Sequence, residues 1–329
     1  MPPLNLAQLA VGDRVQHELL VYDRAEKRTK DGDPFVILTL GNASGRIDTA
    51  PIWSDKIDWA AGADSGRVVQ AIGNVAAYGK NGIVKRQLQL TAPVRPLPAD
   101  SVRVEDFLPA VTTDLSRLWT WIDNVRAKME SKRLQRVVGL FYDDDVFRIR
   151  LEKTPGSNGG HHAKLGGLLL HIHEVTKIAH ASAKTMRANV DLVVAGALLH
   201  DVGKVESYTV GPGGFTYTPC GLLVGHVVLG VMMLERRLLA AGDEVCSEGQ
   251  LLDLEHLILS HHGKPEFGSP VPPMTVEAEI LHWADEASAK ATDMMDALEE
   301  PEGFAEGAEI SDRKWRVGRR VWRRPHGWD

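Results

Sequence analysis

The feature that most constrains this chain is a switch in hydrophobic period near residue 98. Ahead of it, apolar residues recur in short alternating runs; behind it, they recur with the 3.6-residue period of helices. A single layer arrangement does not serve both patterns, so the 329 residues divide into a β part and an α part.

In the first part, residues 11–22 alternate loosely and PFVILTL at 34–40 is a clear strand. Segments 47–53, 68–78 and 83–90 make three more, the last after a GKNG turn at 79–82. Five strands in about 85 residues, joined by glycine-rich turns, predict a small closed or partly open barrel, for which the OB-fold is the best five-stranded match. Pro93, Pro96 and Pro98 then read as a linker. TDLSRLWTWI at 113–122 starts a helix with Thr113 as its cap, and a helical period continues through Leu140. TPGSNGG at 154–160 is a loop, and strong helices follow near 164–187, 190–203, 221–241, 250–262 and 275–298. There is no internal repeat.

Composition narrows the setting. Apolar residues are 43% and charged residues 25%, the balance of a soluble globular protein. Net charge is −6, so contact with a polyanion must come from local basic patches. The two cysteines, Cys220 and Cys246, fit neither a disulfide framework nor a zinc pattern, and a reducing, cytoplasmic location is the simplest expectation. The N-terminus lacks the basic and apolar regions of a signal peptide, and the densest apolar run, 192–199, is too short to cross a bilayer.

Seven side chains carry the chemistry: His171, His200, Asp201, His226, His261, His262 and Asp285, each on or at the end of a predicted helix. The strongest local signal is AGALLHDVGK at 195–204, an apolar helix that arrives at adjacent His and Asp. Near a helix end both can reach one ion, and a carboxylate with two oxygens can bridge two. Gly203 permits close approach of backbone or substrate, and Lys204 places a cation where phosphate charge is to be offset. A lone histidine on an apolar helix is usually core or surface filler, but buried polar groups need partners, and a metal supplies them for the ordered set as a whole. Imidazole and carboxylate suit Mn, Fe, Co, Ni or Zn; the absence of thiolate argues against structural zinc. Of the remaining histidines, His173 points to another helix face than His171, His180 is surface or core filler, His282 is expected to pack, and His17 and His326 are incidental. His161 and His162, in a glycine-rich loop, are candidates for contact with substrate phosphate, with solvated loop positions as the other reading.

The pattern H…HD…H…HH…D resembles that of the HD superfamily of metal phosphohydrolases. HHAKLGGLLLH at 161–171, GLLVGH at 221–226, LSHHG at 259–263, FGSPVPP at 267–273 and EAEILHWAD at 277–285 are similar to the YhaM-type 3′→5′ exoribonucleases. The order of OB-fold then HD domain is also that family's. The resemblance runs from about 12 to 298. It implies an N-terminal five-stranded OB-like β-barrel plus a C-terminal all-α HD domain. It divides the chain into an OB-fold-like nucleic-acid-binding domain (1–98), linker and accessory helices (99–160), an HD phosphohydrolase domain (161–298), and an acidic linker with a basic, Trp-bearing tail (299–329). It further implies a first metal on His171, His200, Asp201 and Asp285, a second on His226, His261 and His262 bridged by Asp201, catalytic assistance by Lys204, manganese or cobalt as the ion, and a homo-oligomer. One departure is the glycine-rich loop at 154–160.

The expected activity is a metal-dependent 3′→5′ exonuclease releasing nucleoside 5′-monophosphates from single-stranded RNA, with DNA as the other strand to consider. The barrel would present Phe35, Trp53, Tyr78, Lys80, Lys85 and Arg86 to the strand, although Phe35 and Trp53 also suit core packing and the lysines a solvated hairpin. The tail RKWRVGRRVWRR at 313–324 suits either phosphate binding with Trp315 and Trp322 stacking on bases, or docking onto the helical domain; docking is the preferred expectation. Two rivals stand beside this reading: an HD-type nucleotide or cyclic-nucleotide phosphohydrolase, and a non-catalytic nucleic-acid-binding or regulatory protein.

Overall fold

A computed structural model describes residues 4–80, 83–98, 101–211, 214–242, 245–300, 303–305 and 307–328. Two compact units emerge, one built mainly from residues 1–110 and the other mainly from 111–209 and 217–329.

The first unit is a barrel of strands β1 (Arg14–Arg28), β2 (Pro34–Asn42), β3 (Gly45–Thr49), β4 (Ile52–Trp53), β5 (Val68–Lys80), β6 (Ile83–Leu90) and β7 (Arg95–Pro96). Five of them close it in the order β1-β2-β3-β6-β5-β1, with β3 and β6 parallel and the other pairs antiparallel. Closure rests on the length of β1: residues 14–20 pair with β5, and residues 20–28 pair with β2, with a register shift between Val21 and Asp23 that bends the strand from one partner to the other. Alternating Val36, Leu38 and Leu40 point inward and meet Val15, Leu19, Val69, Ala71, Val75 and Leu88 in the barrel core.

Two expectations are corrected here. The strand expected over 47–53 is broken into β3 and β4, because Pro51 has no N–H to donate to a ladder. The proline-rich stretch is not wholly a linker: β7 pairs with β5, Pro96 opposite Val69, at a sheet edge where a proline is tolerated. Of the GKNG turn, residues 81 and 82 lie outside the described residues.

The second unit is helical: α1 (Leu115–Ala127), α2 (Lys132–Tyr142), α3 (Asp145–Lys153), α4 (Gly167–Met186), α5 (Val190–Leu199), α6 (Lys204–Ser207), α7 (Pro219–Leu223), α8 (His226–Ala241), α9 (Glu248–Ser260) and α10 (Val276–Glu299). A short hairpin, β8 (Tyr208–Gly211) and β9 (Gly214–Tyr217), intervenes after α6. The cap of α1 is Asp114, not Thr113: its carboxylate accepts from Ser116 N–H. The helix expected through Leu140 is two helices, the second restarted by Ser131, whose hydroxyl accepts from Leu134 N–H. The helix expected over 221–241 breaks at Gly225, whose φ of 80° favours glycine. Helix α5 is the centre of the unit, with every residue from Val193 to Leu199 buried, and α4 and α10 lay their apolar stripes beside it.

The basic tail is an ordered two-sided arm. Ile310 bridges to Trp322 and Lys314 to Arg319, and Ser311 N–H donates to Val321 O at 3.0 Å. Buried Val321 and Ser311 hold it down, Arg323 Nη2 donates to Leu298 O at the end of α10, and Lys314 Nζ lies 2.6 Å from Glu300 Oε2. The docking expectation therefore describes the base of the arm. Trp315 at the other end is 81% exposed. Among the described residues, no helix is long and apolar enough to cross a membrane.

Candidate metal centre

The seven expected side chains converge at one end of α5. His171 and Asp285 lie on the buried stripes of α4 and α10, in line with Leu168 and Val175 on one helix and Leu281 and Ser288 on the other. His200 is the C-cap of α5 and Asp201 follows it. His226 opens α8, His261 is the C-cap of α9, and His262 follows. Helix ends thus supply five of the seven groups, which lets adjacent residues turn toward one point.

The donor atoms fall into two sets that share Asp201. In the first, His171 Nε2 is 3.0 Å from Asp285 Oδ1, 3.4 Å from Asp201 Oδ2 and 3.4 Å from His200 Nε2, and His200 Nε2 is 3.3 Å from Asp201 Oδ2. In the second, His226 Nε2 is 3.0 Å from His262 Nε2 and 3.4 Å from Asp201 Oδ1, and His261 Nε2 is 3.7 Å from that same oxygen. Donors about 2.1 Å from a common ion stand ~3.0 Å apart at an octahedral corner and ~3.4 Å apart at a tetrahedral one. Both sets are therefore spaced as coordination polyhedra are.

Two observations fit a cation here. Both Asp201 oxygens and His261 Nε2 are fully buried without a hydrogen-bond partner, a costly condition that coordination removes. Lys204 Nζ stands 2.6 Å from Asp201 Oδ2 and supplies charge, but not a well-directed hydrogen bond. The protonation states of four of these groups also suit ligands. Burial pushes His226 down to about 3 and His261 well below its usual range, so both are neutral imidazoles with a free lone pair. Burial pulls Asp201 and Asp285 upward, but Lys204, His200 and His171 around the one, and His171 and His262 around the other, hold both carboxyls well below the carboxylate range. Burial also lowers His171, yet Asp201 and Asp285 outweigh it and hold the imidazole at about 9. The two carboxylates demand positive charge at that point.

Outer contacts fix the rings. His200 Nδ1 lies 2.8 Å from Ala197 O and His261 Nδ1 lies 2.7 Å from Ile258 O, so each donates to a backbone carbonyl and turns Nε2 inward. His171 Nδ1 lies 3.1 Å from Ser288 Oγ, and Ser288 Oγ in turn donates to Glu174 Oε2 at 2.8 Å. Sequence reasoning missed Glu174 and Ser288. Each stands three residues after a ligand on the same helix, and that spacing was the available signal. His282 packs, as expected, and its Nδ1 donates to His261 O at 2.9 Å, bracing the His261–His262 corner.

A cavity of about 320 Å³ opens over the centre, lined by Lys204, His226, His262 and Asp285 together with His161, Ser157 and Arg316. His161 faces this cavity, and burial lowers its imidazole to about 3. His162 does not fit the substrate contact expected of it. It is 1% exposed, and its Nε2 lies 3.1 Å from Glu174 Oε2, so it supports the cluster from behind.

In the barrel unit, Trp53 and Tyr78 are 47% and 49% exposed, and Lys85, exposed as well, is the cross-strand partner of Tyr78. Phe35 is half-buried and its ring centroid is 5.1 Å from that of Trp53. Arg86 is corrected: its Nη1 donates to Leu6, Ala7 and Leu9 carbonyls and ties down the N-terminal turn, so it is not free for a strand. The side chain of Lys80 lies outside the described residues.

A helical bundle that gathers His, His-Asp, His, His-His and Asp around one buried carboxylate defines an HD-domain protein of the metal-dependent phosphohydrolase class, and residues 168–290 match the HD domain family. The 3′-5′ exoribonuclease YhaM of Oceanobacillus iheyensis is 30% identical over 324 residues, covering 98% of this chain and 97% of that protein. The Bacillus subtilis protein of the same name is 33% identical over 294 residues, covering 88% and 89%. The chain belongs to this YhaM family. No solved structure matches it significantly.

Proposed function

We propose that the chain is a metal-dependent 3′→5′ exonuclease that releases nucleoside 5′-monophosphates from single-stranded RNA, the activity for which its YhaM relatives are named. The observation that carries the reading is the buried carboxylate of Asp201, whose oxygens accept no hydrogen bond and turn one to each of two donor sets. His171, His200, Asp201 and Asp285 would hold one divalent ion, and His226, His261 and His262 with Asp201 a second; manganese is the proposed ion. Such ions supply Lewis acidity toward phosphoryl oxygens and lower the pKa of water.

The chain's own groups divide the rest of the work. Lys204 Nζ, on the cavity lining beside Asp201, offsets negative charge on the substrate phosphate. His161, neutral and on the cavity wall, donates an N–H to a phosphate oxygen without adding charge. Ionised Asp201 and Asp285 keep the centre attractive to cations, and the backbone bonds of His200 and His261 keep it preorganised. On the barrel, Trp53, Tyr78 and Lys85 offer the stacking faces and charge that sequence-tolerant strand binding needs. A homo-oligomer in the reducing cytoplasm completes the proposal.

The test is product analysis. Purified protein with Mn²⁺ is given single-stranded RNA, single-stranded DNA and a panel of free and cyclic nucleotides. Stepwise release of 5′-mononucleotides from RNA is expected, and Asp201→Asn should abolish it. Turnover of free or cyclic nucleotides alone would sink the reading.

A further inference from the structure

The basic arm does more than dock. Its tip forms part of the wall of the cavity above the candidate metal centre: Arg316, Val317 and Arg319 line the same space as Lys204, His226 and Asp285. Gly318, at φ 72°, closes the tip, and Gly318 N–H donates to Lys314 O at 2.8 Å, so the two arginines are carried on a hydrogen-bonded turn rather than a loose end.

The charges on that wall are unequal in what they have left to do. Lys290 Nζ is 3.0 Å from Glu286 Oε1 and is neutralised by it. Lys204 faces the cavity but shares its charge with Asp201. Asp293 lies on the wall and feels Arg316, but no ion pair joins them; among the described residues neither Arg316 nor Arg319 has a carboxylate within salt-bridge distance. Arg316 instead lies over the Trp315 ring, 5.3 Å from its centroid, which holds the guanidinium without spending its charge. Two exposed guanidinium groups are thus left available at the rim of a site for phosphate chemistry.

A cavity of about 320 Å³ takes one nucleotide-sized group. The rest of a strand whose 3′ end occupies it must leave across the rim, bringing its next phosphates there. Arginine is the side chain best matched to phosphate, through paired, parallel N–H donors. Resting on the exonuclease reading above, we propose that Arg316 and Arg319 form a strand clamp, binding the backbone phosphates immediately 5′ of the scissile bond and giving the enzyme its preference for a polymer over a free nucleotide.

The clamp is tested on the full chain by two measurements. Binding of a short fluorescein-labelled single-stranded RNA is followed by anisotropy in EDTA, where no turnover occurs, for wild type, R316A/R319A and R316K/R319K. The alanine pair should weaken Kd by about tenfold at moderate salt, and should flatten the slope of log K against log salt by about 1.4, two phosphate contacts at ~0.7 each. The lysine pair should keep the salt slope. Steady-state kinetics on RNAs of increasing length should then show a raised KM and a lost length dependence in the alanine pair. An alanine pair with wild-type Kd, salt slope and length dependence overturns the clamp. A merely structural arm predicts that alanine and lysine pairs behave alike in the salt slope, which also overturns it. If wild type binds RNA through these arginines but releases no mononucleotide, the exonuclease reading fails and the clamp does not.

Discussion

For His171 to coordinate an ion through Nε2, Nδ1 must keep the proton, and Ser288 Oγ, 3.1 Å away, is the group placed to accept it. Ser288 can accept because its own hydroxyl proton is drawn off toward Glu174. This relay sets both the tautomer and the tilt of the ring. Ser288→Ala is therefore expected to weaken divalent metal binding by about 10- to 100-fold, the usual range for an outer partner of a ligand histidine, with little loss of folded stability in the metal-free protein. Calorimetric titration with Mn²⁺ measures it; an unchanged affinity would mean that the relay does not orient His171. At this scale the sequence was legible where chemistry is rare and illegible where it is common. Seven His and Asp residues on apolar helices declare themselves, because burying them without a partner is costly. A serine and a glutamate on a helix are ordinary, and only their i+3 spacing from His171 and Asp285 separates Glu174 and Ser288 from many others. His162 shows the converse: a glycine-rich setting suggested exposure, but its backbone takes φ 54° and folds the ring beneath the loop.

Helices reach the centre through close backbone approaches, and Gly203 makes one of the two tightest. A Cβ built on Gly203 would overlap His226 O and Gly230 N, so α6 and α8 meet here because one partner has no side chain. Of the two roles that sequence left open for this glycine, the backbone approach is the one observed. Gly203→Ala must push α8 away and take His226 with it; a loss of about 1–3 kcal/mol of stability is expected, along with weakened metal binding at the His226, His261 and His262 set. Thermal melts and metal titration report the two effects, and a variant with wild-type values in both would show that the helices tolerate separation. Helix α3, unforeseen from the sequence, depends on its cap. Asp144 accepts from Val146 and Phe147 N–H and lies 2.8 Å from Arg237 Nη2. Burial pulls this carboxyl up, but Arg237 and the helix N–H groups outweigh it and hold it below its ordinary value of 3.8. A depressed carboxyl stabilises above that value and ceases to do so as pH falls through its folded value. Asp144→Ala should cost about 1 kcal/mol at neutral pH, and the gap between variant and wild type should close below about pH 3.8. A pH-independent gap would assign the cap to geometry rather than charge. Helix α3 was missed because DVFRIRLEK has no clean apolar stripe.

For the whole molecule, the change of period near residue 98 was enough to forecast a closed or partly open barrel and a helical unit, since each period buries its apolar face in only one kind of layer. Breaks inside those parts were harder to read. Pro51 splits a strand and Gly225 splits a helix without disturbing the apolar pattern on either side. Docking of the arm was legible from its tryptophans, but not the means: its order comes from two small buried side chains, Val321 and Ser311, that composition does not single out. The division into units makes metal removal informative. All seven ligand candidates come from α4, α5, α8, α9, α10 and their ends, and the barrel contributes none. An ion that binds only the folded helical unit stabilises it by about 4 kcal/mol at a thousandfold excess over Kd. At about 2–4 °C per kcal/mol for a unit of this size, calorimetry with Mn²⁺ should show the helical unit melting roughly 8–16 °C higher than with EDTA. The barrel, read separately by amide hydrogen exchange along β1 and β5, should respond at the same temperature with and without metal. Equal shifts in both signals would mean that the two units unfold as one. No shift in either would mean that the buried carboxylate of Asp201 is satisfied by something other than a metal.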